Sequence, residues 1–393
     1  MRGSVESVVA HAAYTDAMTC VTPPGNFQRL LVVLPTWVGD AVMATPTLRA
    51  LRHLYPQAQI TGLVKPAVRP VLDGLPFLDR TVTLRPRRQG KADHRRRGLV
   101  SLARRLSSRH FDAAVLLPNS FRAALLLRMA GIPKRIGYER DGRGFLLTDR
   151  LIPRRAAGGR FVPVPTRDYY LGIARYLGAV DPDPAMTLAT RPTDDQAAAL
   201  LLRQAGLRAE DDARPLVLLN VGANFGEAKL YFPERFAAVA DRLITERHCA
   251  VAVTGAPKER PILDRVLLAA QHPLLDLPAA GLDLTLLKSI VKRAALMVTN
   301  DTGPRHFAAA FNVPVVTIFG PTDPNWTTLD FADERQVRVD VDCSPCQKKR
   351  CPLRGSPQEL QCMKLIAPEM VFDRAAELLA LGRGGQRAAE PAA

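Results

Sequence analysis

The chain has 393 residues, 47% of them hydrophobic, with 54 Lys and Arg against 38 Asp and Glu, a formal charge of +16. That length exceeds one ordinary core and predicts two domains, and no stretch approaches the ~20 consecutive apolar residues of a membrane span. The charge calls for an anionic partner, either nucleic acid or an anionic membrane surface, but no zinc-finger spacing, recognition-helix pattern or aromatic RNA-binding motif accompanies it, so nucleic acid is not expected.

Residues 1–27 contain one Arg and no continuous apolar core, so they do not read as a signal peptide. They are expected to be a flexible extension or an over-long start, and the protein to be cytoplasmic. Residues 29–34 then read as a strand and 41–54 as a helix. Strands at 60–64, 81–84 and 113–117 alternate with helices at 67–72, 99–109 and 121–129. This rhythm predicts a parallel sheet covered on both faces. The densest basic run, Arg85 to Arg97, lies between a strand and a helix, where it is either a solvated loop or a grip on an anionic partner.

Asp181-Pro-Asp-Pro184 and Arg191-Pro192 mark a linker, after which the rhythm restarts. A strand at 216–221, a helix at 233–246, a strand at 250–254 and helices at 258–270 and 285–293 follow. The expected fold class is α/β, with two doubly wound Rossmann-like domains facing across a cleft. The first spans 28–182 and the second 183–366; a helix at 367–381 packs back across the junction, and 382–393 form a loose tail. The halves share a plan without a sequence repeat.

Residues 295–324 hold the most informative pattern. An apolar run at 295–298 is followed by Asp301 or Thr302 as a helix cap, Pro304 in the first turn, and a β-branched run at 313–319 ended by Gly320-Pro321. A helix that starts just past a strand turns free N–H groups toward the carboxyl edge of the sheet, a geometry that binds phosphate. Gly303 lets a ligand approach the backbone, and His306 lies one turn in. The spacing alone fits an ordinary capped turn equally well.

Asp301-Thr-Gly-x-x-His306, followed by Phe319-Gly-Pro-Thr-Asp-Pro324, resembles the signature of the bacterial lipopolysaccharide heptosyltransferases, glycosyltransferase family nine. Leu34-Pro-Thr-Trp-Val-Gly-Asp40 with Thr45-Pro-x-Leu-Arg-Ala-Leu51 is similar to the family's N-terminal motif. Leu117-Pro-Asn-Ser-Phe-Arg122, Arg135-Ile-Gly-Tyr138 and Gly222-Ala-Asn-Phe-Gly-x-Ala-Lys229 resemble its middle blocks, and Cys343-x-x-Cys346 with Cys351 and Cys362-Met363 its last. The likeness runs in order from about residue 29 to about 375.

The resemblance implies a GT-B-type fold and metal-independent transfer of heptose, with inversion, from ADP-heptose to an inner-core lipopolysaccharide acceptor. The chain would work from the cytoplasm as a peripheral protein on the anionic inner face of the cytoplasmic membrane, where the acidic glycolipid acceptor sits. The alternatives are another acceptor, protein or glycan, and a non-catalytic nucleotide-sugar-binding protein. Asp40, at the end of the first strand, is either the general base or an N-cap, and capping would lower its basicity. Lys229 would contact donor phosphate, its point charge following the charge that builds on the leaving group. Asn224 and Phe225 stand where relatives carry hydroxyl or acidic residues, which leaves Asn224 an unsettled donor contact. Thr302 and the turn at Gly303 would bind diphosphate, and Asp301 sugar hydroxyls. His306 would orient phosphate or pack under the turn, and Glu259 would accept a ribose hydroxyl or be a surface glutamate. Asn119, Ser120 and Arg122 would line the acceptor side. No Asp-x-Asp pair suggests a catalytic metal site, and no serine or cysteine nucleophile motif is present.

Cys343, Cys346, Cys351 and Cys362 are separated by two, four and ten residues. Four thiolates in a loop-rich segment would close a structural zinc or iron site, or they are reduced, unliganded thiols. Cys249, inside a strand, is expected to be a small core residue.

Overall fold

Apolar strands flanked by amphipathic helices dictate both halves of this computed structural model, which describes residues 25–83 and 92–381, with only the backbone of 92–97. The first half runs β1 (Arg29–Val33), α1 (Val38–Met43), α2 (Thr45–Leu54), β2 (Gln59–Val64), α3 (Arg69–Leu72), β3 (Arg80–Thr83), α4 (Ala92–Ser107), β4 (Ala113–Leu116), α5 (Phe121–Met129), β5 (Lys134–Tyr138) and β6 (Asp149–Leu151). After α6 (Thr166–Tyr176) and α7 (Pro192–Gln204), the second half runs β7 (Leu216–Asn220), α8 (Pro233–Arg247), β8 (Ala250–Thr254), α9 (Arg260–Ala269), β9 (Leu275–Asp276), α10 (Leu284–Arg293), β10 (Leu296–Asn300), α11 (Pro304–Ala310), β11 (Val315–Ile318) and β12 (Glu334–Val337). Two last helices follow, α12 (Gln361–Lys364) and α13 (Pro368–Ala380).

Each half forms a six-stranded sheet, ordered β3-β2-β1-β4-β5-β6 and β12-β11-β10-β7-β8-β9, with every pairing parallel. The central strands β4, β7 and β10 are buried at every residue, as a sheet covered on both faces requires. The two orders are the same when numbered from each half's first strand. Each reverses direction once, between β1 and β4 and between β7 and β10. Those are the switch points, outside whose strand carboxyl ends such sheets bind ligands.

Several expectations are corrected. The single helix expected at 41–54 is two helices, because Pro46 has no N–H to continue the ladder; Thr45 Oγ1 donates instead to Val42 O at 2.8 Å. The helix expected from 99 already starts at Ala92, so the end of the basic run is helical backbone and not loop; residues 84–91, and the side chains to 97, lie outside the described residues. Phe27, expected in the extension, is buried against the Tyr55 ring at 5.2 Å and belongs to the first core. Residues 1–24 and the tail 382–393 lie outside the described residues. Strands β5, β6, β9 and β12 and helices α6, α7 and α12 went unforeseen, the strands being short or polar enough to read as loop. Helix α13 does not cross the junction: Val371, Phe372, Ala375 and Leu378 pack with Val217, Val298 and Val316 of the second sheet.

Helix α6 returns to the first core through Tyr170 and Ile173, while α7 joins the second through Leu201 and Leu202. Between them, Arg49 fastens the connection by donating to Asp183 O, Ala185 O and Thr187 Oγ1. Ala41, Val42, Met43, Val68 and Val71 of the first half lie in one apolar cluster with Leu287, Phe307 and Ala308 of the second. Lys288 Nζ also crosses the seam to Asp73 O at 2.9 Å. The halves therefore meet through packed helices α1, α3, α10 and α11, directly beside both switch points.

Candidate active site

At the first switch point the chain leaves β1, and Trp37 in extended conformation precedes α1 without a side-chain cap. Asp40 sits in the first helical turn and is not the N-cap, so the capping alternative does not hold. Its carboxylate has no hydrogen-bond or ion-pair partner among the described residues, and burial pushes its pKa up to about 6. Tyr170 of α6, fully buried, stands near enough to feel the Asp40 charge.

Asn119 follows β4. Its Oδ1 accepts from Arg143 Nη2 at 3.0 Å and from the Tyr169 hydroxyl at 3.1 Å. Arg143 is wholly buried and also donates to Tyr138 O and Pro118 O. Ser120 Oγ caps α5 by accepting from Ala123 N at 3.2 Å, whereas Arg122 is exposed. Sequence reading missed Arg143 and Tyr169, since nothing in an isolated loop arginine announces that it will be buried.

The second switch point gathers the remaining candidates. Lys229 lies on a single 3-10 turn after β7, and its Nζ donates to Asp301 Oδ2 at 2.6 Å and Asp301 O at 3.1 Å. Asp301 also accepts from Arg305 Nη1 at 2.8 Å and Thr322 Oγ1 at 2.7 Å. Burial alone would raise its pKa, but Arg305 and Lys229 outweigh burial and hold the carboxyl well below the usual range. Three protein donors thus bond the carboxylate expected to meet sugar hydroxyls, and one of them is Lys229.

Neither Asp301 nor Thr302 caps α11; the N-cap is Gly303, without a side-chain bond. Gly303 lies against Gly39 of the first half: an ideal Cβ on Gly303 would stand 3.1 Å from Gly39 N. His306 is 3% exposed, and its Nδ1 has no partner among the described residues. Burial, then the Arg305 charge, pushes its pKa down to about 3, so it is neutral and packs under the turn.

Glu259 is also buried: its Oε2 accepts from Ala256 N at 2.7 Å, and an ideal Cβ on Gly222 would come within 1.9 Å of it. It is not a surface glutamate. Asn224 Oδ1 accepts from Lys258 Nζ at the mouth of this turn. The structure therefore brings Lys229, Asp301, Thr302, Gly303 and His306 together, and sets Gly39 and Asp40 against them from the other half.

The closeness of that seam yields a prediction. An ideal Cβ on Gly39 would sit 2.9 Å from both Gly303 Cα and His306 Cδ2, so Gly39→Ala must part the two switch points. A displacement near 1 Å at reacting groups costs on the order of 10²-fold, so kcat/KM of Gly39→Ala should fall by at least ~10-fold. Steady-state kinetics beside a near-UV circular dichroism spectrum checks this; unchanged kinetics in a folded variant refutes it.

The four clustered cysteines line one small cavity of about 10 Å³, with Pro321, Pro352 and Leu360. Burial, then the neighbouring thiols Cys343, Cys346 and Cys351, pushes the Cys362 thiol up to about 11. Among the described residues, no group of three or more His, Cys, Asp or Glu side chains is placed to hold a metal ion. The loop that carries the cysteines rests on the Lys229 turn, where Ala228 N donates to Lys349 O at 3.1 Å. Cys249 is buried in the second core, as expected.

Two parallel sheets of like strand order, meeting switch point to switch point, make this an α/β protein of the GT-B type. The family profile of glycosyltransferase family 9 (heptosyltransferase) matches residues 99–356, and the chain belongs to that family. It is 30% identical over 316 residues to lipopolysaccharide heptosyltransferase 2 of Escherichia coli K12, covering 79% of this chain and 88% of that protein. To lipooligosaccharide heptosyltransferase 2 of Haemophilus influenzae it is 26% identical over 365 residues, covering 90% and 100%. The solved structure of E. coli ADP-heptose LPS heptosyltransferase II superposes with a TM-score of 0.72 at 24% identity, covering 90% of this chain and 99% of that one. No helix among the described residues is long and apolar enough to cross a membrane.

Proposed function

We propose that this transferase moves heptose from ADP-heptose to an inner-core lipopolysaccharide acceptor, by a single displacement with inversion. Residues 28–182 form the acceptor domain and 183–366 the donor domain. The observation that carries this reading is the meeting of an unpartnered Asp40, with a pKa near 6, and the Lys229–Asp301 cradle across the Gly39–Gly303 contact. Asp40 takes the acceptor hydroxyl's proton as the hydroxyl oxygen attacks the anomeric carbon, and ADP leaves with the bonding electron pair. Lys229, with Thr302 beside it, receives the charge that develops on the diphosphate, a role that needs no metal. Glu259, beside Gly222, suits a ribose hydroxyl, and Asn119 with Arg122 suits the acceptor.

The relatives named above are lipopolysaccharide and lipooligosaccharide enzymes, which supports the acceptor class. Asp40, Lys229 and Asp301 are all in place, which disfavours a binding protein without turnover. The test is incubation of purified protein with a panel of nucleotide sugars and defined core acceptors, followed by mass spectrometry. Transfer from ADP-heptose to a core oligosaccharide supports the reading, and transfer to none refutes it. The charge of +16 supports peripheral attachment to the anionic cytoplasmic face of the inner membrane, where such an acceptor lies.

For the cysteines we keep a structural zinc or iron site as the proposal, supported by four thiols facing one cavity. Occupancy would require the thiols to lose protons and close to ligand distance, which would tie the loop over Lys229 more firmly. Freshly purified protein should contain about one metal ion per chain by elemental analysis, with Tm falling on chelation. Metal-free protein of equal stability and activity rules the site out.

A further inference from the structure

Arg305 is fully buried, yet it carries a charge that neither the fold nor the transfer chemistry so far requires. Its guanidinium bridges two buried carboxylates, with Nη1 2.8 Å from Asp301 Oδ1 and Nη2 2.9 Å from Glu334 Oε1. Thr317 Oγ1 holds Glu334 in turn at 2.7 Å. The same guanidinium donates to Thr327 Oγ1 and Thr327 O, each at 3.1 Å, and lies over the Phe319 ring at 4.9 Å. Buried ion pairs contribute little net stability compared with apolar residues of the same volume, so stability is a poor reason for this arrangement.

The loop that Arg305 holds is the one the first half grips. Thr166 Oγ1 donates to Trp326 O at 3.2 Å, and Arg167 donates to Leu329 O at 3.0 Å and Asp330 Oδ2 at 2.5 Å. Arg167 opens helix α6, whose Tyr169 bonds Asn119 and whose Tyr170 stands near Asp40. A continuous series of bonded groups therefore runs from Lys229 through Asp301, Arg305 and residues 326–330 to the wall that holds Asp40.

We propose that Arg305 is a positioning residue for the transfer, holding Asp301 so that Lys229 can exchange it for donor diphosphate, and linking that exchange to the Arg167 grip on the opposite half. This rests on the donor placement proposed above. In the structure Lys229 is bonded to Asp301, so an arriving diphosphate must compete with that carboxylate. With Arg305 present, Asp301 keeps a cation when Lys229 turns away. Without it, Asp301 has Lys229 as its sole cation and competes harder, so donor binding weakens. A ligand shifts the far wall only through contacts that differ between its states, and the Asp301–Arg305–Thr327 bonds supply them.

The experiment is calorimetric titration of ADP into the full-length protein from about pH 5 to about pH 8, with acceptor affinity measured with and without ADP. Arg305→Met should weaken ADP by ~10-fold or more near neutral pH, and the deficit should shrink on the acid side, because Asp301 with one cation takes up a proton more readily and then no longer competes for Lys229. Arg305→Lys should restore most of both. Asp330→Asn should leave ADP affinity alone but reduce the factor by which ADP tightens the acceptor. Wild-type ADP affinity and pH profile in a folded Arg305→Met, or undiminished coupling in Asp330→Asn, overturns the proposal. Should Arg305→Met not fold, Arg305→Met/Glu334→Met removes both charges and carries the same expectation. If Lys229→Ala also leaves ADP binding unchanged, the donor placement itself has failed; if only the Arg305 variant does, this inference alone has.

Discussion

Asp40→Asn should lower kcat by about 10²–10⁴-fold while ADP affinity stays within a few-fold, since a general base acts only in the transition state. The change is nearly isosteric, and the carboxylate has no hydrogen-bond or ion-pair partner among the described residues to lose. The pH profile of the wild-type enzyme should report the same group. A base must be unprotonated to act, and burial has raised this one to about 6. On the acid side, kcat should therefore fall tenfold per pH unit below about 6, and Asp40→Asn should lack that limb.

Stability should move the other way. A carboxyl whose folded pKa lies above its unfolded value binds protons more tightly in the native state. Its contribution is therefore lost as pH rises from the unfolded value to about 6. At neutral pH the wild type carries a half-buried, uncompensated charge that Asn removes, so Tm of Asp40→Asn should rise slightly as activity falls. Near-normal turnover in Asp40→Asn would reduce Asp40 to a structural residue and leave the base unassigned.

Lys229→Ala should weaken ADP and slow transfer together, because the lost charge matters most when the leaving group is fully ionised. A hydrogen bond to a charged group contributes ~1.5–3 kcal/mol, so ADP affinity should fall roughly 10- to 100-fold. The fold should survive, since Asp301 keeps Arg305 and Thr322 as partners. Acceptor affinity measured without ADP should change little, that site being on the other wall. Thr302→Val should act in the same direction but more mildly, removing one neutral hydrogen bond of ~1 kcal/mol. Separate titrations of ADP and acceptor into each variant resolve these effects. Unchanged ADP binding and transfer in a folded Lys229→Ala means the donor sits elsewhere in the cleft.

Much of this was legible in the residues alone. Strand β8 and helix α5 fall where periodicity put them, because a buried apolar run and a 3.6-residue stripe are local properties. The restart of the βα rhythm after residue 191 announced the second sheet. The family motifs led to Asp40, Lys229 and the 301–306 turn, since those residues follow strands β1, β7 and β10, and strand ends are readable from sequence. Short or polar elements were not legible. Strand β12, Glu-Arg-Gln-Val, has no apolar pattern and owes its place to pairing with β11.

What only the tertiary structure decided is the electrical state of the site. Whether Asp40 is a capped, acidic carboxylate or an unpartnered one near pKa 6 depends on what covers it, and Trp37, not Asp40, takes the cap position. Whether Asp301 meets sugar or holds lysine depends on Lys229, Arg305 and Thr322 arriving from 72, 4 and 21 residues away. His306 is neutral because burial and Arg305 make it so. Propensity and period act over a few residues along the chain, so the sequence by itself determined the long apolar elements, their order and the family. Burial and charge act through space, so only the packed structure could decide which carboxylate is free to take a proton and which is occupied in holding a cation.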